Sequence, residues 1–229
     1  MIYCVNHTTM EYFGGLLTSN FRLRYKMLVD AQYWDVGRFK GMEYDQYDTP
    51  AASHLVWTDD FGEVRGSVRT APTDRPYMIK ELWPQIVTGE LPSSLSVWEA
   101  SRFCVDHDLP SEVRQRVKAE LVLAFLEFGL QNDVREMIGI MPEKFWKSCF
   151  INNGWPIEYI GPESDIGGGY KILAGRMPIT LSVLQAVRKA TGISTAVLAT
   201  NPRQRLAYDS MRVSAKDGDE WKSNEQKAA

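Results

Sequence analysis

Histidine and cysteine are scarce in this chain: His7, His54 and His107 are scattered, and Cys4, Cys104 and Cys149 share no CxxC spacing. No pair of them has ligand spacing, so neither a zinc site nor metal catalysis is indicated, and an odd cysteine count argues against a disulfide framework. A reducing, cytoplasmic setting is expected. Charge of one sign is also missing. With 26 Lys and Arg against 29 Asp and Glu the net charge is −3, too little positive field to hold a polyanion, which disfavours nucleic acid as a partner. No apolar run approaches the roughly 18 residues of a membrane helix. The opening MIYCVNHTTM has no basic segment followed by an apolar one, so neither an export signal nor membrane insertion is expected. Phosphate-binding glycine patterns are lacking as well. Gly167, Gly168 and Gly169 form a bare run without GxGxxG or GxxxxGK[ST] spacing and read as a turn.

What is present is the makings of one packed domain. At 229 residues, 44% hydrophobic and 24% charged, the chain can bury a sizeable core; it reads as a single domain, 1–229, with a polar, frayed tail from about 211. Residues 1–6 form a short strand. Phe13, Leu16, Leu17, Phe21, Leu23, Met27 and Leu28 then recur at helical spacing to about residue 32. Periodicity is lost over 33–52, which reads as a long loop. His54–Trp57 and Val64–Thr70 flank the turn DDFG as a hairpin, and Val97–Val105 is another strand. The spacing predicts a helix from Ser111, its cap, to Leu130, with Val113, Val117, Leu121, Ala124 and Leu126 on its apolar face. A strand (Val134–Met141), a helix from Pro142 to Phe150, strands either side of the glycine turn, a helix over 179–191 and a strand Thr195–Thr200 follow. Helices first, then antiparallel strands, then alternating elements predict an α+β sandwich with one central sheet covered on both faces.

Several charged residues sit where the pattern is apolar. Glu43, Asp45 and Asp48 crowd the aperiodic segment; extended backbone would put Glu43 and Asp45 on one side, about 7 Å apart. Such a cluster suits a cation. Glu99, Ser101 and Arg102 lie inside the strand VWEASRF, where alternation puts Glu99 and Ser101 on one face and Arg102 on the other. A buried carboxylate must be paired or functional. Arg24 and Arg69, if buried, want the carboxylates of Asp45, Asp48 or Glu99.

These residues resemble the LuxI-type acyl-homoserine-lactone synthases. The match runs from about Phe21 to Val105, more weakly to Gly161. It rests on Arg24 with Trp34 ten residues on, E-x-D-x-Y-D at Glu43–Asp48, G-x-x-R at Gly66–Arg69 followed by Pro72-Thr73, and WEASRF at 98–103. The resemblance implies a GNAT-like three-layer α/β/α sandwich whose mostly antiparallel sheet splays into a V-shaped cleft. It implies an acyltransferase that acylates the amine of S-adenosylmethionine from an acyl thioester, then lactonises with release of methylthioadenosine, making a quorum-sensing autoinducer. The partners implied are S-adenosylmethionine and either an acyl carrier protein or acyl-CoA, with no cofactor beyond the substrates.

Carried over by position, Glu99, Ser101 and Arg102 are the catalytic candidates, Glu99 taking the amine proton directly or through water. Arg24, Leu28, Trp34, Asp45, Asp48, Arg69 and Phe103 are those for S-adenosylmethionine. Trp98, Met141 and Trp146 are those for the acyl pocket. A main-chain N–H at an irregularity in strand 97–105 would serve the oxyanion. Leu28 and Trp83 stand where the family has phenylalanine, which predicts a repacked nucleoside pocket. Met141 stands where it often has threonine, which suggests an unsubstituted, branched or aryl acyl group. Arg114, Arg116, Lys118, Lys144 and Lys147 are candidates for a patch that docks an acidic carrier protein. Another GNAT-type N-acyltransferase is the competing expectation, but the Q/R-x-x-G-x-G/A loop it would carry is missing from 105–115.

Overall fold

A computed structural model describes residues 1–30, 36–167 and 169–199. Its strands are β1 (Ile2–Val5), β2 (Arg38–Phe39), β3 (Met42–Glu43), β4 (Ser53–Thr58), β5 (Val64–Pro72), β6 (Val97–Val105), β7 (Glu136–Met141), β8 (Glu158–Tyr159), β9 (Ser164–Asp165), β10 (Lys171–Pro178) and β11 (Leu198–Ala199). Its α-helices are α1 (Met10–Phe13), α2 (Gly15–Arg24), α3 (Met78–Leu82), α4 (Ser111–Gln131), α5 (Glu143–Phe145) and α6 (Leu181–Thr191). Helix α2 runs on into a π-helical turn, Tyr25–Asp30, and α5 into another, Trp146–Phe150.

Alternation along the strands builds three layers. Ile2, Cys4, Leu55 and Val68 face α4, while Tyr3, Val5, Val56 and Val64 face α1 and α2. The spatial order is β11-β1-β4-β5-β6-β7-β10-β8, with β9 also on β10. Among these pairs only β1–β11 and β6–β7 are parallel. Helix α4 is buried on more than the one face its apolar spacing suggests: every residue from Leu121 to Gly129 is buried, because the sheet lies on one side and α6 with the second π turn on the other.

Ser111 does not cap α4. It is the first helical residue, Pro110 precedes it as cap without a side-chain bond, and Arg114 N–H reaches the Pro110 carbonyl at 2.9 Å. The segment 36–52 is less irregular than its composition predicts, since β2 and β3 pair across Lys40 and Gly41, both at positive φ.

Two departures from regular pairing shape the site. Strands β6 and β7 pair only over Val97–Ala100 against Glu136–Gly139; beyond that β6 continues to Val105 and the two part. Along β5–β6, Ser67 opposes Cys104 and Arg69 opposes Ser101. Two residues of β6 therefore face one of β5, a bulge, and Arg102 within it has φ +58°. No helix among the described residues is long and apolar enough to cross a membrane.

Candidate active site

The floor of the site is an ion-pair network between the 36–52 segment and three strands or helices. Arg24 at the end of α2 donates from Nε to Glu43 and bidentately to Asp48, at 2.7 and 2.9 Å. Arg69 on β5 bonds Asp45 through both terminal nitrogens, Asp48 at 3.0 Å and the Ser101 hydroxyl at 3.1 Å. Arg102 reaches Glu43 at 3.1 Å and Asp45 at 2.6 Å. Arg24 and Glu43 are 0% exposed and Arg69 1%, so each charge depends on its partners for solvation. Burial opposes ionisation of Asp48, yet the hydrogen bonds of Arg24 and the charges of Arg24 and Arg69 outweigh it and hold this carboxyl well below the usual range.

The bulge explains how Arg102 joins this network. Strict alternation would put it opposite Glu99 and Ser101; the left-handed residue rotates it back to their face and sends Phe103 toward α4. The sequence-based expectation of opposite faces is therefore corrected.

Glu99, 2% exposed, accepts the N–H of Met78 at 3.1 Å and of Ile79 at 2.7 Å, at the start of α3. Burial pushes its carboxyl up to about 7, against the opposing pull of those amides and of Arg69 and Arg102.

Between the parted ends of β6 and β7 lies a cavity of about 340 Å³. Its polar end is formed by Ser101 and Arg102 beneath Met27, Leu28 and Met78. The far end is apolar, with Phe103, Phe125, Met141, Trp146 and Phe150 among its walls. Phe103 packs at 6.5 Å on Phe125 and 5.6 Å on Phe150. His107, Arg114 and Lys118 also line it.

A family model described as autoinducer synthase matches residues 10–187. The chain belongs to the autoinducer synthase family. It is 31% identical to an acyl-homoserine-lactone synthase of Agrobacterium fabrum, over 77% of this chain and 85% of the relative. It is 25% identical to the isovaleryl-homoserine lactone synthase of Bradyrhizobium diazoefficiens, over 89% and 91% of the two. Among solved structures, a CoA-dependent acyl-homoserine lactone synthase, MesI, matches with a TM-score of 0.77 at 25% identity, covering 88% of this chain and 100% of that one. The chain is thus an acyltransferase of this family with the family's GNAT-like fold.

Within this autoinducer synthase the predicted site residues divide by place. Arg24, Asp45, Asp48, Arg69, Ser101 and Arg102 meet in the network, and Leu28, Met141 and Trp146 line the cavity. Trp34 lies outside the described residues. Two assignments change. Trp98 does not line the cavity: it packs on Phe128 at 5.3 Å, and its indole N–H donates to the Leu95 carbonyl at 2.8 Å. Phe103 sits in the apolar ring cluster instead of on the charged side, because the bulge turns it there.

Sequence reading missed Met78, whose sulfur lies 3.2 Å from Arg102 Nη1 and whose amide binds Glu99. Nothing in the short apolar doublet before Lys80-Glu81 marks it as part of a site. His54 is buried beside Asp48, and burial brings it down to about 4, so it is neutral near pH 7. The trio Asp106, His107 and Asp108 has metal-ligand spacing, but Lys26 bonds both carboxylates and Arg65 pairs with Asp106 at 2.8 Å.

Proposed function

We propose that this chain acylates the α-amine of S-adenosylmethionine from an acyl-CoA and closes the methionine portion into a homoserine lactone, releasing methylthioadenosine. One observation carries the reading: at Ser101–Phe103 a buried ionic floor meets an apolar cavity. A cationic amino acid and an aliphatic thioester require those two environments side by side. The charges also match. Arg24, Arg69 and Arg102 balance Glu43, Asp45 and Asp48, leaving Glu99 as the surplus acid. A substrate with an ammonium, a sulfonium and a carboxylate carries one net positive charge, which an ionised Glu99 offsets.

In this scheme Asp45 and Asp48, fixed by Arg24 and Arg69, order the methionine end, and Leu28 contacts the nucleoside. A water held by Glu99 removes the amine proton as the nitrogen attacks the thioester carbonyl. Main-chain N–H groups freed from the ladder at Arg102–Phe103 stabilise the oxyanion. The C–N bond forms as the C–S bond of the thioester breaks and the thiol leaves. The methionine carboxylate then attacks its γ-carbon, and the sulfonium C–S bond breaks to expel neutral methylthioadenosine; holding those atoms in line is the main contribution of the protein. No cofactor beyond the two substrates is required.

The cationic candidates favour CoA over a carrier protein. Arg116 is paired with Glu120 and Lys147 with Glu143, whereas Arg114 and Lys118 stand at the cavity, where the phosphates of a small donor would pass. The match to a CoA-dependent synthase, over 88% of this chain and 100% of that one, supports the same choice, and Met141 in the wall favours an unsubstituted, branched or aryl acyl group over a 3-oxo one. Incubating the purified protein with S-adenosylmethionine and either acyl-CoA or the matching acyl carrier protein, with mass spectrometry of the products, tests the scheme. Faster turnover of acyl-CoA to an acyl-homoserine lactone is expected; no lactone from either donor would overturn it, and a 3-oxo product in cells would overturn the acyl assignment.

A further inference from the structure

Tyr47 lies in the acidic segment between Asp45 and Asp48, yet its hydroxyl serves neither of them. The side chain is 5% exposed, and its ring stands 5.7 Å from the Arg69 guanidinium. The hydroxyl donates at 2.7 Å to Glu81 on α3; burial, together with that carboxylate, raises the phenol well above its usual value, so the proton stays in place. Helix α3 is also the element whose first two amides, at Met78 and Ile79, hold Glu99. With five residues it spans little more than one turn and has no side-chain cap, too little to keep its direction without outside contacts. Tyr77 and Ile79, 1% and 0% exposed, anchor its start in the apolar core. After them Lys80, Glu81 and Leu82 are exposed, and the bond from Tyr47 is what ties that stretch to the ionic floor.

We infer that Tyr47 and Glu81 are positioning residues for Glu99: their hydrogen bond fixes α3 so that its first two amides stay aimed at that carboxylate. The inference rests on the reading above in which Glu99 is the base. Around Glu99 stand Arg69 of β5, Arg102 of β6, Tyr77 and Tyr47, and the β7 residue in register with it is the uncharged Ile138. The two amides and two arginines favour the carboxylate against its burial. A helix released by Tyr47 turns its amides off line, and Glu99 then keeps its proton to a higher pH.

Tyr47→Phe keeps the ring on Arg69 and removes only the hydroxyl, whereas Glu81→Ala removes the acceptor at an exposed position. In the pH profile of kcat/KM for S-adenosylmethionine at saturating acyl-CoA, each should raise the pH of half-maximal rate by about 0.5 to 1 and lower the rate at pH 7 by roughly two- to fivefold. Glu81→Gln, which keeps an oxygen to accept the bond, should stay near the wild type. Tyr47→Phe and Glu81→Ala combined should do no more than either alone. Melting curves accompany every variant; if Tyr47→Phe does not fold, Glu81→Ala decides alone. A lowered melting temperature with an unmoved profile, or effects that add in the double variant, overturns the inference while leaving the function standing. A wild-type acidic limb that survives in Glu99→Gln overturns the assignment of the base and the inference with it.

Discussion

The two ends of the cavity are built on opposite physical plans. In the ionic floor at the polar end, three arginines and three carboxylates interlock through directional bonds, two pairs of them bidentate, Arg24 with Asp48 and Arg69 with Asp45. At the apolar end Phe103, Phe125, Trp146 and Phe150, with Trp155 packed behind them, touch at ring centroid distances between 5.4 and 6.5 Å, in tilted, stacked and edge-on arrangements that rest on area and shape. Removing one ion from the first plan strands a buried charge of the other sign. Trimming one ring in the second costs packing in proportion to what is removed. The polar end should therefore fail all at once and the apolar end by degrees, which suits an enzyme with one constant substrate and one that differs between relatives.

Arg24→Ala is the most severe way to test this contrast. It leaves Glu43 and Asp48 buried without their main partner, and the expected loss is about 3–5 kcal/mol of stability, with activity abolished; denaturant unfolding measures it, and a loss below about 1 kcal/mol would show that the network is not what holds the 36–52 segment. Next comes Glu99→Gln, expected to slow acylation by roughly 100-fold or more. Because the carboxyl of Glu99 is raised to about 7, the wild-type rate should climb as pH rises through that value and the variant's should not. An unchanged acylation rate would remove Glu99 from the chemistry. The same raised value has a consequence for stability. Protonated Glu99 is the form the fold prefers, so its contribution is complete below its unfolded value of 4.5 and is lost as pH rises to about 7. Across that window the wild type should lose melting temperature relative to Glu99→Gln. Phe150→Leu, at the apolar end, should cost only about 1–1.5 kcal/mol and leave the protein folded and active; a collapse there as large as that of Arg24→Ala would erase the contrast. Met141→Thr should be the mildest, tolerated in folding and detectable as a several-fold gain for 3-oxo over unsubstituted donors in competition assays, since a hydroxyl gives the keto oxygen a partner.

Period and punctuation made most of the fold legible in advance. Strand β6 was read with its bounds, the β4–β5 hairpin was placed by its DDFG turn, and the second π turn falls inside the helix read from Pro142 to Phe150. The misses have physical causes. Hairpin β2–β3 is two residues on each strand, too short for alternation to register. The Ser111 cap failed because Pro110 already sets the backbone entering α4. Among site residues, the odd charges in apolar company were conspicuous: Arg24, Arg69, Glu99 and Arg102 stood out because an unpartnered charge there would be too costly to keep. Glu43 to Asp48 were visible as a cluster, and Arg24 and Arg69 as seeking Asp45, Asp48 or Glu99, but which arginine takes which acid was not. Met78 was invisible as a site element, since nothing in a five-residue helix marks what it will face.

The amino-acid order by itself determined which residues had to be buried, which charges needed partners and where strands and helices alternate, because those follow from period, polarity and backbone freedom within short windows. Tertiary structure alone decided that Arg102 turns to the face of Glu99 while Phe103 crosses to the other, and that β6 and β7 part after Ala100. Each of these depends on one added residue or one register between strands distant in sequence, and a shift of one position reverses every side chain that follows.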